Sequence, residues 1–426
     1  MENTWGVQPA SSGMNFSAAP AAAIWWDMCP IGAQQFQGSA NETLPTRTHE
    51  PLADVLEEIG IGSTNGSHTV LDIKAFTDSL GGRPIYSRFV LGNAADQLTR
   101  ARSGQDVTLL DCYGKPFFLP GEIFSSFDEA PVLFYSGIHE LTEIFQADDV
   151  RPALPVFLRS GERQEVRTDH VDTSHLRAGD PLPESPELHS RPSLAFIMDL
   201  YGWYWRSSGA PDILHHSLRE LVHTVRISNI VCIGLGTLEA PDLAKARSLV
   251  QHRTASFIAH DLEQLYEVEG IPLEKPIKII AQDPAYTSLD RMTLSTLAEP
   301  IEVVSDPQGF LAINEGSLVF SSWPSVPVKQ LIADLATELP DGKGPAALFL
   351  NNNRKDKDFG DIDVARYDLR RYGPVRYINA ETKAYVEMLE SYTRVFDGEQ
   401  QFGIGFTGKL PDFEWFPDMD IWGREE

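Results

Sequence analysis

The stretch NIVCIGLGTLEAPDLAKA, residues 229–246, decides how the rest of the chain is interpreted. It opens with an apolar run rich in β-branched side chains, continues with Gly-Leu-Gly and ends in residues that favour a helix. A buried strand, a tight glycine turn and a helix, in this order, are typical of the first unit of a doubly wound sheet. The stretch raises a question of function, because the turn either binds a nucleotide or is only a tight turn.

The same alternation continues to residue 352, where short apolar runs are separated by stretches of helical composition. Continuous apolar strands that alternate with helices are typical of a parallel sheet covered on both faces. The predicted strands are 229–234, 277–282, 301–304, 317–321 and 346–350, and the predicted helices are 240–268, 287–298, 308–313 and 326–339. We therefore predict an α/β fold, a Rossmann-like mostly parallel sheet with helices on both faces, plus an N-terminal α+β extension.

The remainder of the chain divides by composition. A start rich in Ala, Ser, Gly, Gln and Pro favours disorder, and a polar, Pro-rich stretch without apolar periodicity favours a linker or long loop. The predicted division is a mostly disordered segment over 1–50, an N-terminal α+β module over 51–160, a linker over 161–192, the Rossmann-like domain over 193–408 and an acidic aromatic tail over 409–426. Two interpretations of the tail stay open: it is solvated, or it docks its Trp and Phe side chains on the protein or a partner.

The N-terminal module carries local signals of its own. EPLADVLEEIG (50–60) predicts a helix with Pro51 in its first turn. VTLLDCYGKPFFLPGEIF (107–124) predicts two strands about the turn Tyr113-Gly114-Lys115. APVLFYSGIHELTEIF (130–145) fits a strand or a helix, and the sequence does not decide between them.

The net charge and the cysteine content bear on the partners and on the cellular compartment of the protein. The formal net charge of -26 argues against a nucleic-acid-binding surface and against anionic membranes as partners. No apolar run approaches the roughly 18 residues of a membrane span. A signal peptide would need a basic region at its start, but no Lys or Arg precedes Arg47. Three cysteines without a CxxC pair fit a reducing compartment, and Cys232 in an apolar strand is predicted to be buried and inert. The expected location is the cytoplasm or the nucleus.

The glycines of the opening turn are candidate ligand contacts. Gly234 and Gly236 would allow positive φ and close backbone approach, and the following helix offers free N–H groups to an anion. The dinucleotide pattern GxGxxG, however, expects a third glycine where this chain has Glu239. The usual methyltransferase pattern expects an acidic residue at Cys232 and a glycine at Leu238. A nucleotide-type ligand and a purely structural turn therefore remain equal alternatives.

Three further candidates follow later strands of the predicted sheet. Asp283 ends the second strand, where an acid in a Rossmann-like fold accepts hydrogen bonds from ribose hydroxyls. Ser321 and Trp323 follow the fourth strand, and the indole could stack on a flat ligand or fill the core. With Gly234 and Gly236 they form the predicted cofactor-binding set at one crevice.

No catalytic residue and no metal site is predicted. The sequence contains no GxSxG, HExxH or GxxxxGK[ST] motif. DHVDTSH (169–175) has ligand-type side chains, but it lies in the predicted linker, where nothing orients them. His216 and His223 share a helix face without an evident third ligand, so they are expected at the surface or in an interface.

Residues from about 190 to 355 resemble the "sensitivity to red light reduced" domain family, in a form like that of filamentous fungi. The resemblance is carried by VCIGLGT (231–237), QDPAY (282–286), WPSVPVKQLIADL (323–335) and LFLNNN (348–353). The family often has Pro-His-Cys after the fourth strand, whereas Ser325 and Val326 follow Pro324 here. Chemistry that needs that His or Cys is therefore not carried over.

Two functions are compatible with the residues and the resemblance. Family members are linked to circadian regulation, control of haem biosynthesis and stress responses, so the resemblance implies a regulatory context without implying a reaction. The first function is a regulatory or interaction protein, with or without a nucleotide-type or other small-molecule ligand and with protein partners. The alternative is an enzyme that uses S-adenosylmethionine or NAD(P) on a small molecule, for example in fungal secondary metabolism. The lack of an identifiable base, nucleophile or metal favours the first.

Overall fold

The computed structural model describes residues 69–127, 129–147, 152–161, 194–239, 242–340, 342–352, 364–367, 378–407 and 415–426. The predicted disordered segment 1–50, the helix predicted at 50–60 and residues 162–192 of the predicted linker lie outside these ranges. In the described part, no helix is both long enough and apolar enough to cross a membrane.

The helices and strands follow in two groups along the chain. The first group is β1 (Thr69–Asp72), α1 (Ile73–Ser79), α2 (Arg88–Arg102), β2 (Val107–Leu110), β3 (Pro116–Leu119), α3 (Glu122–Ser125), β4 (Pro131–Tyr135), α4 (Ile138–Gln146) and β5 (Val156–Ser160). The second group is α5 (Leu194–Ser207), α6 (Ala210–Leu221), β6 (Asn229–Ile233), α7 (Asp242–Val268), β7 (Lys278–Gln282), α8 (Ser288–Ser295), β8 (Ile301–Val304), α9 (Gln308–Leu311), β9 (Ser317–Ser321), α10 (Val328–Ala336), β10 (Ala347–Asn351), β11 (Val364–Tyr367), α11 (Lys383–Leu389), β12 (Tyr392–Asp397), α12 (Gly398–Thr407), a 3₁₀ turn (Phe416–Asp418) and β13 (Met419–Arg424).

The largest sheet among the described residues has seven strands in the order β12-β13-β10-β9-β6-β7-β8. Neighbouring strands from β10 to β8 are parallel, and β13 runs antiparallel to both β10 and β12. The five predicted strands are confirmed to within one residue at either end. The predicted α/β fold with a mostly parallel sheet is therefore confirmed.

Complete burial explains why these strands are continuous apolar runs. Every residue of β6, β9 and β10 is buried. Successive side chains of a strand point to opposite faces, so β6 contributes to two hydrophobic cores. Val231 and Ile233 belong to the core under α9 and α10, whereas Ile230 and Cys232 belong to the core under α6 and α7.

Residues 415–426 of the predicted acidic aromatic tail are part of the sheet. Trp415 and Phe416 are buried among other aromatic rings, and Met419–Arg424 form β13 between β10 and β12. The tail is thus not solvated in this part, and it does more than dock its rings, because its backbone completes the sheet. The sequence did not predict this strand, because it carries charged residues that are typical of exposed segments. Two of them, Asp420 and Arg424, are buried in the structure.

The described residues between 69 and 161, called the N-terminal block below, pack against one face of the Rossmann-like part. The predicted strands around Gly114 are confirmed as the antiparallel pair β2 and β3. The undecided stretch 130–145 is a strand followed by a helix, β4 and α4. Tyr86 donates its backbone N–H to Asp334 in α10 at 2.9 Å, and the Tyr135 hydroxyl donates to Asp306 after β8. One hydrophobic core spans the block and this face of the sheet.

Candidate functional site

The glycine turn after β6 has the backbone conformation that its sequence predicts. Gly234 and Gly236 have φ values of 69° and 79°, in the left-handed region where a side chain would be strained. The backbone N–H of Gly234 donates to the carbonyl of Gln282 at 2.9 Å and so extends the contact between β6 and β7. The N–H of Gly236 turns towards the next connection, where it donates to Asp283 Oδ2 at 2.8 Å.

Two carboxylates from the connection after β7 occupy the donors of this turn. Asp283 accepts from Gly236 and also, through Oδ1, from the N–H of Ala285 at 2.8 Å. Asp290 is fully buried and accepts from the N–H of Leu238 at 2.9 Å and from the hydroxyl of Thr237 at 2.7 Å. Two N–H groups of the kind that would bind a phosphate in a dinucleotide fold, those of Gly236 and Leu238, are therefore bound to acids of the chain itself.

Sequence reasoning missed Asp290, although a signal for it existed. Thr287-Ser288-Leu289-Asp290 has the spacing of a capping box, and the structure forms it at the start of α8. Asp290 accepts from the N–H of Thr287 at 2.7 Å, and the Thr287 hydroxyl accepts from the N–H of Asp290. One side chain thus caps a helix and fixes the glycine turn.

Acidic groups dominate the neighbouring carboxyl ends of the sheet. Burial raises the pKa of Asp283 above its ordinary value, while the N–H groups of Ala285 and Gly236 oppose that rise. Burial raises the pKa of Asp306 to about 7, against the lowering effect of the hydrogen bond from Tyr135. Gln282 joins this group by donating to Asp306 Oδ1 at 2.9 Å. Such an edge is unfavourable for a phosphate, which would meet carboxyl groups there.

Ser321 and Trp323 differ in their availability for a ligand. The Ser321 hydroxyl is buried and donates to the carbonyl of Ile233 at 2.7 Å, which ties the end of β9 to the end of β6. The side chain of Trp323 is 46% exposed, and its backbone has a φ of 52° in the left-handed region. Its N–H donates to the side-chain oxygen of Asn351 at the end of β10.

The five predicted residues lie along one edge of the sheet without forming one open crevice. Gly236 and Asp283 are bonded to each other, and Ser321 is bonded to β6. A side chain added at Gly234 would meet Pro324 at 3.9 Å, so the turn after β9 lies against the glycine turn. Of the five, only Trp323 presents an exposed side chain at this edge.

A small cleft next to the predicted crevice holds that indole. Trp323, Pro324, Asn351, Ile378 and Asn379 line it. Sequence reasoning missed the last three, because Asn351 stood only as part of the LFLNNN run and residues 378–379 carry no local signal. The cleft therefore combines the ends of β9 and β10 with a segment that precedes α11.

Buried Lys329 supports the wall of the cleft that contains Asn379. The backbone N–H of Lys329 donates to Asn379 Oδ1 at 2.9 Å. Its ammonium lies 2.9 Å from Glu381 and above the ring of Tyr385, 5.4 Å from the centroid. Lys329 thus binds both ends of the segment 379–381 and holds that wall in place.

Cys232 and the described histidines that the sequence singled out show no reactive arrangement. Cys232 is completely buried, as predicted, and burial raises the pKa of its thiol. His215 contacts Asp261 at 2.9 Å, and His216 and His223 lie at the surface. Across the ranges that the structure covers, no three His, Cys, Asp or Glu side chains are grouped so as to hold a metal ion. DHVDTSH (169–175) lies outside those ranges.

One of the comparisons with known proteins found a match. The family model described as the SRR1 domain matches residues 214–399, from α6 to the beginning of α12. No curated protein and no solved structure showed significant similarity to the chain. The matched region contains the glycine turn, Asp283, the cleft and six of the seven sheet strands, and it agrees with the family to which the motifs pointed. Residues 214–399 of this chain therefore match the SRR1 domain family.

Proposed function

We propose that this protein is a regulatory or interaction protein whose SRR1 domain binds a small organic ligand in the cleft at Trp323. Ligands of open parallel sheets bind outside the carboxyl ends of the strands, at the point where the strand order reverses. Here the chain proceeds from β6 to β8 on one side and returns to β9 and β10 on the other. The cleft lies at the carboxyl ends of β9 and β10, next to that point.

The conformation of Trp323 is the observation that supports this proposal best. A residue with a side chain in the left-handed region costs of order 1–3 kcal/mol, and such residues cluster at ligand sites. The surrounding structure enforces this conformation through the hydrogen bond from Trp323 N–H to Asn351. The result is a large ring, held in a strained turn and 46% exposed, at the edge where ligands bind.

Replacing Trp323 with glycine tests the proposal. Glycine accepts a φ of 52° without strain, and this relief offsets the cost of about 0.5–1 kcal/mol from its greater freedom in the unfolded chain, so we expect no drop in the melting temperature. Ligand binding should be lost, because the ring is absent. The measurement is a thermal-shift screen of nucleosides, nucleotides, S-adenosylmethionine and NADPH. A compound at 100 times its dissociation constant adds about 2.7 kcal/mol of stability.

The matched control is Trp203→Ala, which removes another exposed indole, on α5 and outside the cleft. It should keep every shift that the unaltered protein shows. Equal shifts for the Trp323→Gly variant, or no shift with any compound of the panel, would contradict a ligand site at Trp323.

The strand order favours one alternative, an enzyme that uses S-adenosylmethionine or NAD(P). If the seven strands of the sheet are numbered along the chain from β6, their order across the sheet, starting at the β8 edge, is 3-2-1-4-5-7-6. The seventh strand, β13, is antiparallel to both of its neighbours. The first five positions, 3-2-1-4-5, are those of a dinucleotide-binding sheet, but such a likeness of fold does not determine function. The donors of the glycine turn are already bonded to Asp283 and Asp290, which disfavours this alternative.

Gly236→Ala separates the two functions. A methyl group there would be strained at a φ of 79°, and it would lie 3.7 Å from Ser248. A cofactor bound at the glycine turn should lose affinity in this variant, whereas a ligand bound at Trp323 should keep it. Binding measured by calorimetry on the folded variant decides between them.

The composition of the chain also bears on the binding partners and the cellular compartment that we propose. The net charge of -26 supports protein partners over nucleic acid and over anionic membranes. We propose that the protein works in the cytoplasm or the nucleus, as its cysteine usage suggests.

A further inference from the structure

We infer that the cleft at Trp323 recognises an uncharged, flat heterocycle with hydrogen-bond acceptors, of the nucleobase or nucleoside type. This inference rests on the proposed function and adds the chemistry of the ligand. It follows from three properties of the cleft: its apolar surfaces, the orientation of its two carboxamides and the lack of an available cation among its described residues.

The apolar surfaces of the cleft suit a flat ring. The indole of Trp323 lies beside Pro324 and Ile378. Stacking of a base on an aromatic ring contributes about 1–3 kcal/mol and is tolerant of the identity of the base, because every base has a π face. The turn fixes the backbone of Trp323 before a ligand arrives, so that the main chain from which the indole extends need not be ordered on binding.

The two asparagines have donors to spare, whereas each of their oxygens already accepts a hydrogen bond. The oxygen of each carboxamide accepts from a backbone N–H, Asn351 from Trp323 and Asn379 from Lys329. Since an N–H cannot bond to an amide nitrogen, these contacts fix which end of each side chain is oxygen. Asn351 Nδ2 has only a long contact of 3.5 Å to the carbonyl of Asp418, and Asn379 Nδ2 has no partner among the described residues. A complementary ligand therefore presents ring nitrogens or carbonyl oxygens.

The charges around the cleft oppose a phosphate. Among the described residues that line it, none is Lys, Arg or His. Lys329, which supports one wall of the cleft, is buried and paired with Glu381 at 2.9 Å. The adjacent glycine turn is unfavourable for a phosphate as well, because the N–H groups of Gly236 and Leu238 donate to Asp283 and Asp290. A nucleoside should therefore bind at least as well as its phosphorylated form.

Calorimetric titration of the full chain tests this inference. The probes are adenosine and uridine, their 5′-monophosphates, and indole as a flat ring that lacks an acceptor. We expect at least one nucleoside to bind, its monophosphate to bind no tighter, and indole to bind at least tenfold more weakly. Asn379→Asp keeps the oxygen that Lys329 needs and removes the donor, so nucleoside affinity should fall at least tenfold. Asn93→Asp in α2 adds the same charge outside the cleft and should leave the affinity unchanged.

Several outcomes would overturn the inference. A monophosphate that binds tenfold more tightly than its nucleoside would show that phosphate is recognised. Indole that binds as well as the nucleosides would show that the amide donors are not used. If neither nucleoside binds but another compound of the thermal-shift panel does, and Trp323→Gly abolishes that shift, the nucleoside class is wrong and the ligand site stands. If no compound binds, both proposals fail.

Discussion

A chain that stops after residue 414 is expected to lose cooperative folding. The deletion removes β13, which pairs with β10 on one side and β12 on the other. It also removes Trp415 and Phe416, whose rings pack on Phe320 and Phe349. Removal of one large buried aromatic side chain typically costs about 3–5 kcal/mol, and a whole domain has only about 5–15 kcal/mol of stability. The summed loss therefore exceeds what the fold can tolerate.

Near-ultraviolet circular dichroism and calorimetric melting measure this effect. The shortened chain should lack a near-ultraviolet signal and a melting transition. A second deletion that removes only Glu425 and Glu426, both exposed, is the control and should melt close to the full chain. A sharp transition in the chain that ends at 414 would show that the other six strands form a stable sheet without β13.

Replacing Asp290 with alanine is expected to cost about 3–5 kcal/mol. The change leaves three donors without their acceptor, the N–H groups of Leu238 and Thr287 and the hydroxyl of Thr237. A hydrogen bond to a charged group contributes about 1.5–3 kcal/mol, and a buried donor without a partner adds a desolvation penalty. The expected total lies below the sum of three such bonds, because the glycine turn can rearrange and admit water.

Urea unfolding followed by circular dichroism measures this loss as a lower midpoint at an unchanged slope. Asp290→Asn keeps one acceptor oxygen and should lose less than the alanine variant. Glu239→Gln alters an exposed neighbour that accepts from Thr287 at 2.6 Å, and its cost should stay below about 1 kcal/mol. An alanine variant as stable as Glu239→Gln would mean that Asp290 does not hold the turn.

The predictable part of the fold is the part where burial is complete. β6, β9 and β10 are apolar at almost every position, so strand and parallel sheet follow from the pattern alone. β13 breaks the pattern because its Asp420 and Arg424 are buried within the domain, where the buried face of a strand would carry apolar side chains. The contact of the N-terminal block with the sheet depends on tertiary pairs such as Tyr86 with Asp334, which no local pattern encodes.

The candidate site was predictable in position but not in chemistry. Gly234 and Gly236 have the positive φ values that their place after a strand suggests. Asp283 lies at the expected edge, yet its carboxylate accepts from the N–H groups of Gly236 and Ala285. These two N–H groups donate where the hydroxyls of a ribose were expected to donate. Asn379 could not be found from sequence, because it reaches the cleft through a contact with Lys329, which is distant along the chain.

The position of β13 also has a consequence for synthesis on the ribosome. β10 spans Ala347–Asn351, but the strand that covers its edge spans Met419–Arg424. At about 5–20 residues per second, the edge of β10 waits on the order of several seconds for its neighbour to be made. An unpaired apolar edge is a template for association with other chains. Completion of the sheet therefore comes after most of the domain has been translated, and nascent chains that stall before residue 419 are the ones expected to need chaperones.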